Sequence, residues 1–136
     1  MDNIPICIEG SDPDSLGVIE KMAGCISSKV YKMDSMERKN LHLAAIIASN
    51  FSNHMYHLAY DFLSESGTDF ELLKPLILET AAKVMEMDPS NAQTGPASRN
   101  DEQIILEHKA LLKDHPELQK LYTFVSGSIT NHFKAT

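Results

Sequence analysis

The sequence predicts a mainly α chain, with a strand–helix–strand unit over residues 1–34 and a helical bundle from Ser35 to the end. Three observations predict it. After Ser35 every periodic segment repeats its apolar residues at helical spacing. Before it, two short runs with β-branched residues, IPICIEG and KVYKM, flank one amphipathic stretch. The one long Pro-, Ser-, Asn- and Gly-rich connection, DPSNAQTGPASRN, lies in the helical half. At 136 residues and 43% hydrophobic content, the chain has room for one ordinary core and lacks the composition of a disordered segment.

IPICIEG ends in glycine and suits a buried strand. Asp12 is placed to cap the next helix, with Pro13 at its first position and Asp14 near the positive end of its dipole. Leu16, Ile19, Ala23 and Ile26 form its apolar stripe, and KVYKM returns as a second, parallel strand. A parallel sheet is normally wider and covered on both faces, so this unit reads as the tail of a larger sheet. The chain is then a piece of a longer protein, or one that must find strand partners.

Ser35 can cap a helix running to about Ser64. Thr68 and Glu71 make a capping box for FELLKPLILETAAKVMEM, with a break or kink near Pro75. Asn100 and Gln103 cap DEQIILEHKALLK in the same way. Pro116 opens a last helix with Leu118, Leu121, Tyr122, Val125, Ile129 and Phe133 along one side.

A net charge of -7 argues against nucleic acid or an anionic membrane as partner. No stretch has the length and apolarity of a transmembrane span, and the start, MDNIPICIEG, has no secretory signal. Cys7 and Cys25 match neither a metal-site spacing nor a disulfide framework and read as reduced, which points to the cytoplasm.

The segment LHLAAIIASNFSNHMYHLAY, residues 41–60, has no Lys, Arg, Asp or Glu, yet keeps His42, Ser49, Asn50, Asn53, His54 and His57. On a wheel of about 100° per residue, Leu41, Ala44, Ala48, Phe51, Met55, Leu58 and Phe62 share one face. His42, Ser49, Asn53 and His57 share the other, with Asn50 on its flank. The stripe either makes hydrogen bonds between helices or lines a cleft for a small polar ligand. The lack of charge says that the helix is covered on most sides. His54 and His57 sit about 60° apart on the wheel and make a poor clasp, so no metal is expected.

In AQTGPASRNDEQ, Thr94, Gly95 and Pro96 force a tight turn, and Arg99 stands just ahead of a helix start. That start favours an anion, and Arg99 can grip a carboxylate or phosphate; the bland alternative is a structural turn with a surface arginine. None of the six glycines builds a GxGxxG turn or a P-loop.

With these residues in hand, ERKNLHLAAIIASNF, LLKPLILETAAKV and AQTGPASRND resemble the domain of unknown function 2520, over about residues 36–131. Its most specific block is TGP-x-x-R-x-D, here Thr94, Gly95, Pro96, Arg99 and Asp101; Asn100 stands where the family usually has glycine. That domain follows a Rossmann-type domain in proteins described as NAD(P)-dependent oxidoreductases, and residues 1–34 are similar to the last strand–helix–strand of such a domain. The helical part is similar to the C-terminal domains of 6-phosphogluconate dehydrogenase, pyrroline carboxylate reductase and ketopantoate reductase relatives, where a long helix and a loop face the nicotinamide and helical domains often pair.

The resemblance implies NADP or NAD in the full-length parent and none on this chain, which lacks the Gly-rich turn. It implies a small, anionic carbonyl or imine substrate, with catalytic roles for His42 as proton donor and Asn50 as orienting group. Ser49, Asn53, Thr94, Gly95, Arg99 and Asp101 would bind substrate. The partners implied are a homodimer mate and the N-terminal Rossmann-type domain. The alternative is a helical interaction module with no enzymatic role.

Overall fold

The computed structural model describes residues 4–134. Its element order is β1 (Ile6–Ile8), α1 (Pro13–Gly24), β2 (Val30–Lys32), α2 (Ser35–Ala45), a π-helical turn (Ile46–Phe51) and α3 (Ser52–Glu65). A 3-10 turn (Phe70–Leu73), α4 (Lys74–Glu86), α5 (Pro89–Ala92), α6 (Glu102–Leu111) and α7 (Pro116–Lys134) follow. The protein is mainly α with a two-stranded parallel sheet at its N-terminal end. Internal contacts divide it into two units, Met1–His57 and Leu58–Thr136, with the division inside α3.

In the first unit, Ile6 pairs with Val30, Cys7 with Tyr31 and Ile8 with Lys32. Asp12 caps α1, accepting from the Ser15 N–H at 2.9 Å and its hydroxyl at 2.7 Å. Those bonds, the backbone one first, hold the Asp12 carboxyl down at about 2. Ser27 is buried because its hydroxyl donates to Ile4 O at 2.6 Å and accepts from Lys29 N–H at 3.1 Å. Ile8 and Ala23 complete this small core. Of the predicted stripe Ala23 is buried and Leu16 half-buried, but Ile19 and, past the end of the helix, Ile26 are exposed, as are Val18 and Met22 on the outward side of α1. Glu9 accepts from Ser35 and pairs with Arg38, which ties the end of β1 to the start of α2.

The cap of α1 falls on Asp12, where the sequence pattern puts it, but three later caps fall one residue away, each time on an aspartate. Asp34, not Ser35, caps α2, in a capping box with Glu37. Asp69, not Thr68, caps the 3-10 turn, and Asp101, not Asn100, caps α6. A carboxylate accepts backbone N–H groups more strongly than a hydroxyl or amide, and its charge suits the positive end of the helix. Pro75 does not kink a helix; the 3-10 turn ends ahead of it, and it sits in the first turn of α4.

The second unit is helical. Tyr60 meets Phe70 edge-on at 5.7 Å, and Phe62 meets His115 at 5.4 Å. α6 and α7 are joined by His108 Nδ1 to Tyr122 OH at 2.9 Å and by Gln119 Nε2 donating to Lys109 O at 2.7 Å. Leu118, Leu121, Tyr122, Ile129 and Phe133 are half-buried along α7, as their spacing predicts, while Val125 stays exposed.

Candidate functional site

The predicted site residues fall into two groups, one in each unit: His42, Ser49, Asn50 and Asn53 in the first, Thr94, Gly95, Arg99 and Asp101 in the second.

The π turn changes the first group. In an α-helix each residue advances about 100°, but a π turn holds one residue more and takes about that angle back. The even wheel therefore breaks at Ile46–Phe51. Counted through the turn, Asn50 and His54 fall in line with His42, within about 20°. Ser49 and Asn53 move roughly 80–90° to the flank. His54 is the residue that the wheel misses. Nothing in IIASNF marks the turn, which contains neither proline nor glycine.

His42, Ser49, Asn50 and Asn53 are all exposed, and none makes a side-chain hydrogen bond among the described residues. Other helical hydroxyls behave differently. Ser64, Thr80 and Thr123 each return a bond to the carbonyl four residues back, at about 2.8 Å. Ser49 does not. Nor is the helix covered within the chain: Leu43, Ile47 and Phe51 are 58%, 54% and 54% exposed.

The second group sits on a loop held by its own backbone. Gly95 takes φ 106°, a conformation that disfavours any side chain. Ser98 Oγ donates to Gly95 O, and the Asp101 N–H to Pro96 O, both at 2.9 Å. Ala97 is buried, and its carbonyl accepts from Thr130 Oγ1 of α7 at 2.9 Å. Asn100 adopts φ 53°, which explains a usual glycine there: asparagine is among the few other residues that tolerate the left-handed region. Asn100→Gly should therefore leave the melting temperature nearly unchanged. Asn100→Val should lose about 1–3 kcal/mol of stability, read by thermal or urea melting; an unchanged valine variant would refute the strain.

Asp101 caps α6 by accepting from Ile104 N–H at 3.3 Å, so its carboxylate already takes part of the donor set that the sequence offers to an anion. The anion reading then rests on Arg99. Its side chain is exposed and makes no ion pair or hydrogen bond among the described residues.

The pattern also gives no sign of a groove of about 390 Å³ lined in part by Ser90, Gln93, Ser128 and His132 with Ile129 and Phe133. It adjoins the loop, since Gln93 Nε2 donates to Thr94 O at 2.9 Å. Among the described residues its lining holds no carboxylate. A second groove of about 250 Å³ is lined by Asp61, Glu65 and Glu117 around His115, which is wrong for an anion. Among the described residues no three His, Cys, Asp or Glu side chains are grouped to hold a metal. No described helix is long and apolar enough to cross a membrane.

No curated protein matches the chain. Among solved structures, a Bacteroides fragilis protein named "putative NADP oxidoreductase" is 45% identical with a TM-score of 0.90, over 96% of this chain and 50% of that one. A Thermotoga maritima protein, whose name gives no activity, is 28% identical with a TM-score of 0.81, over 98% of this chain and 55% of that one. The chain thus spans about half the length of these relatives. The family described as domain of unknown function DUF2520 matches residues 4–129, which takes in the strand–helix–strand unit, the long helix and the Thr94–Asp101 loop. The chain belongs to the DUF2520 family.

Proposed function

We propose that this chain is the substrate-binding and pairing part of an NADP-dependent oxidoreductase acting on a small, anionic carbonyl or imine compound. The observation that carries the reading is Arg99: an exposed guanidinium without an ion pair among the described residues, on a loop whose own bonds do not use it. Arginine presents a planar fork that matches a carboxylate. Thr94 and Gly95 shape the same loop, and Asp101 anchors its exit into α6.

Residues 1–34 would be the last strand–helix–strand of a Rossmann-type domain, and residues 35–136 the helical C-terminal domain. A nicotinamide cofactor held by that Rossmann-type domain supplies the hydride. No Gly-rich turn stands in this sequence to hold one. On this chain His42 delivers a proton to the reduced oxygen or nitrogen, and Asn50 orients the reacting group. Ser49 and Asn53, on the flank of that line, offer further hydrogen bonds. NADP is favoured over NAD by the likeness, at 45% identity, to the Bacteroides protein named "putative NADP oxidoreductase".

A metabolite-library melting screen on the full-length protein, with NADP present, tests this reading. A 2-oxo or imino acid should raise the melting temperature in a concentration-dependent way. If neutral or cationic compounds stabilise and carboxylates do not, the Arg99 assignment fails. If nothing binds, the second reading stands, a helical interaction module without enzymatic activity. That reading is favoured by the bare, charge-free helix.

A further inference from the structure

We propose that the groove between α5 and the end of α7 binds a single sugar ring, free or as a simple glycoside. Its walls belong to the second unit alone, and Arg99 is not among its lining residues, so the site is independent of the substrate assigned to Arg99.

The groove is built by a short wall laid beside a long helix. Pro89 fixes the start of α5, and Gln93, with an extended backbone at φ -67° and ψ 129°, ends it one turn later. Gln93 Nε2 then donates to Thr94 O at 2.9 Å. Ala97 is buried, and its carbonyl accepts from Thr130 Oγ1 of α7 at 2.9 Å. On α7, Ser128, His132, Ile129 and Phe133 span about 140° of the circumference, and Thr130 stands about 60° beyond Phe133. The tie to Ala97 thus falls beside the groove and leaves the lining side chains open.

Charge narrows the ligand first. Among the described residues the lining holds no Asp, Glu, Lys or Arg. A cation finds no carboxylate there and an anion no fixed positive charge, so the desolvation of either goes uncompensated and a neutral ligand is favoured. Hydrogen bonding narrows it further. Ser90 and Ser128 make no side-chain hydrogen bond among the described residues. Thr123, on the same helix as Ser128, returns its hydroxyl to Gln119 O at 2.8 Å; Ser128 returns none. With its Nε2 engaged on Thr94 O, Gln93 keeps Oε1 as an acceptor, which only an O–H or N–H of the ligand can meet. Two free serine hydroxyls both donate and accept, and ligand hydroxyls match them in kind.

The other side of the lining is apolar: Pro89, Ile129 and Phe133. The Phe133 and His132 rings meet edge-on at 5.3 Å and 79°, which sets an apolar ring beside a polar one. A sugar ring has the same two characters, a face of C–H groups and a rim of hydroxyls. A plain hydrocarbon ring would leave Gln93 Oε1 and both serines unmet, at a cost for each polar group it covers. The groove's volume of about 390 Å³ lies near the lower end of the range for small-molecule sites, about 300–1,000 Å³, which suits one ring rather than a chain of them.

Saturation-transfer difference NMR on the full-length protein, without cofactor, tests the proposal. Methyl β-D-glucoside and methyl β-D-riboside are the probes, with acetate and putrescine as charged controls. At least one glycoside should bind saturably at millimolar concentration, and neither control should. Ser128→Trp, which fills the groove, should abolish that binding. Ser128→Ala should weaken it about fivefold, the worth of one neutral hydrogen bond. Phe133→Leu keeps apolar volume and removes the flat ring face, and should also weaken it about fivefold. Lys120→Trp, on α7 outside the groove, and Arg99→Ala should bind as the wild type does. Circular dichroism melting checks that each variant is folded.

No saturable glycoside binding to the wild type would overturn the proposal, as would wild-type affinity in a folded Ser128→Trp. Tighter binding of acetate or putrescine than of either glycoside would overturn the neutral class. If Ser128→Trp unfolds, the two milder variants decide, and wild-type affinity in both overturns the site. Loss of glycoside binding in Arg99→Ala would move the sugar out of the groove and overturn it too. The substrate assigned to Arg99 is read separately, by the melting screen with NADP, so either site can fail without the other.

Discussion

His42→Ala in the full-length oxidoreductase proposed here is expected to lower turnover about 10²-fold or more while leaving the melting temperature unchanged. Reduction of a carbonyl or imine needs a proton as well as a hydride, and a positioned imidazole is the side chain most often used to give one. In this chain the His42 side chain is exposed and makes no hydrogen bond among the described residues, so its removal breaks nothing that the fold uses. An exposed substitution away from such features usually changes stability by no more than about 0.5 kcal/mol. Kinetics and melting must be measured on the same variant. Full activity with a lowered melting temperature would show that His42 packs against something and donates nothing. The neighbouring assignments separate in the same experiment. Asn50 and His54 share the line of His42 through the π turn, so Asn50→Ala should lower turnover more than Asn53→Ala does.

How much of the fold and the site was legible in the residues depended on whether the signal was local. The strand–helix–strand unit was legible because IPICIEG, Asp12–Pro13 and KVYKM each carry their own cause: β-branching, a capping carboxylate, a fixed φ. Pro116 opened α7 for the same reason. The caps at Asp34, Asp69 and Asp101 were each missed by one residue, because adjacent polar side chains compete for the same N–H groups. The left-handed turn at Asn100 was not read from the residues, where Asn100 was taken as a helix cap. The π turn was hidden. Leu, Ile, Ala, Ser and Asn fit an α or a π turn alike, and a wheel of constant pitch assumes the answer. The cover of the long helix was hidden for another reason. The absence of charge in residues 41–60 tells that a partner is wanted, but the chain itself does not supply it: Ile47 and Phe51 are more than half exposed.

Arg99→Ala is expected to weaken substrate binding about ten- to hundred-fold, with little change in turnover or stability. A hydrogen bond to a charged group contributes about 1.5–3 kcal/mol, which is that range in a dissociation constant. The contact would be made equally in ground and transition states, since the anionic group is remote from the reacting bond; the loss should appear in KM and spare kcat. Stability should hold because the loop is built without this side chain. Gly95, Pro96 and Ala97 carbonyls accept from Ser98, Asp101 and Thr130, and Asp101 caps α6. Arg99→Lys separates charge from shape: an ammonium keeps the attraction and loses the two-pronged grip, so its KM should fall between the wild type and alanine. A KM unchanged in Arg99→Ala would remove the anion from the substrate class. A lysine variant as good as wild type would keep the anion but make Arg99 a steering charge rather than a clamp, and KM should then rise steeply with salt.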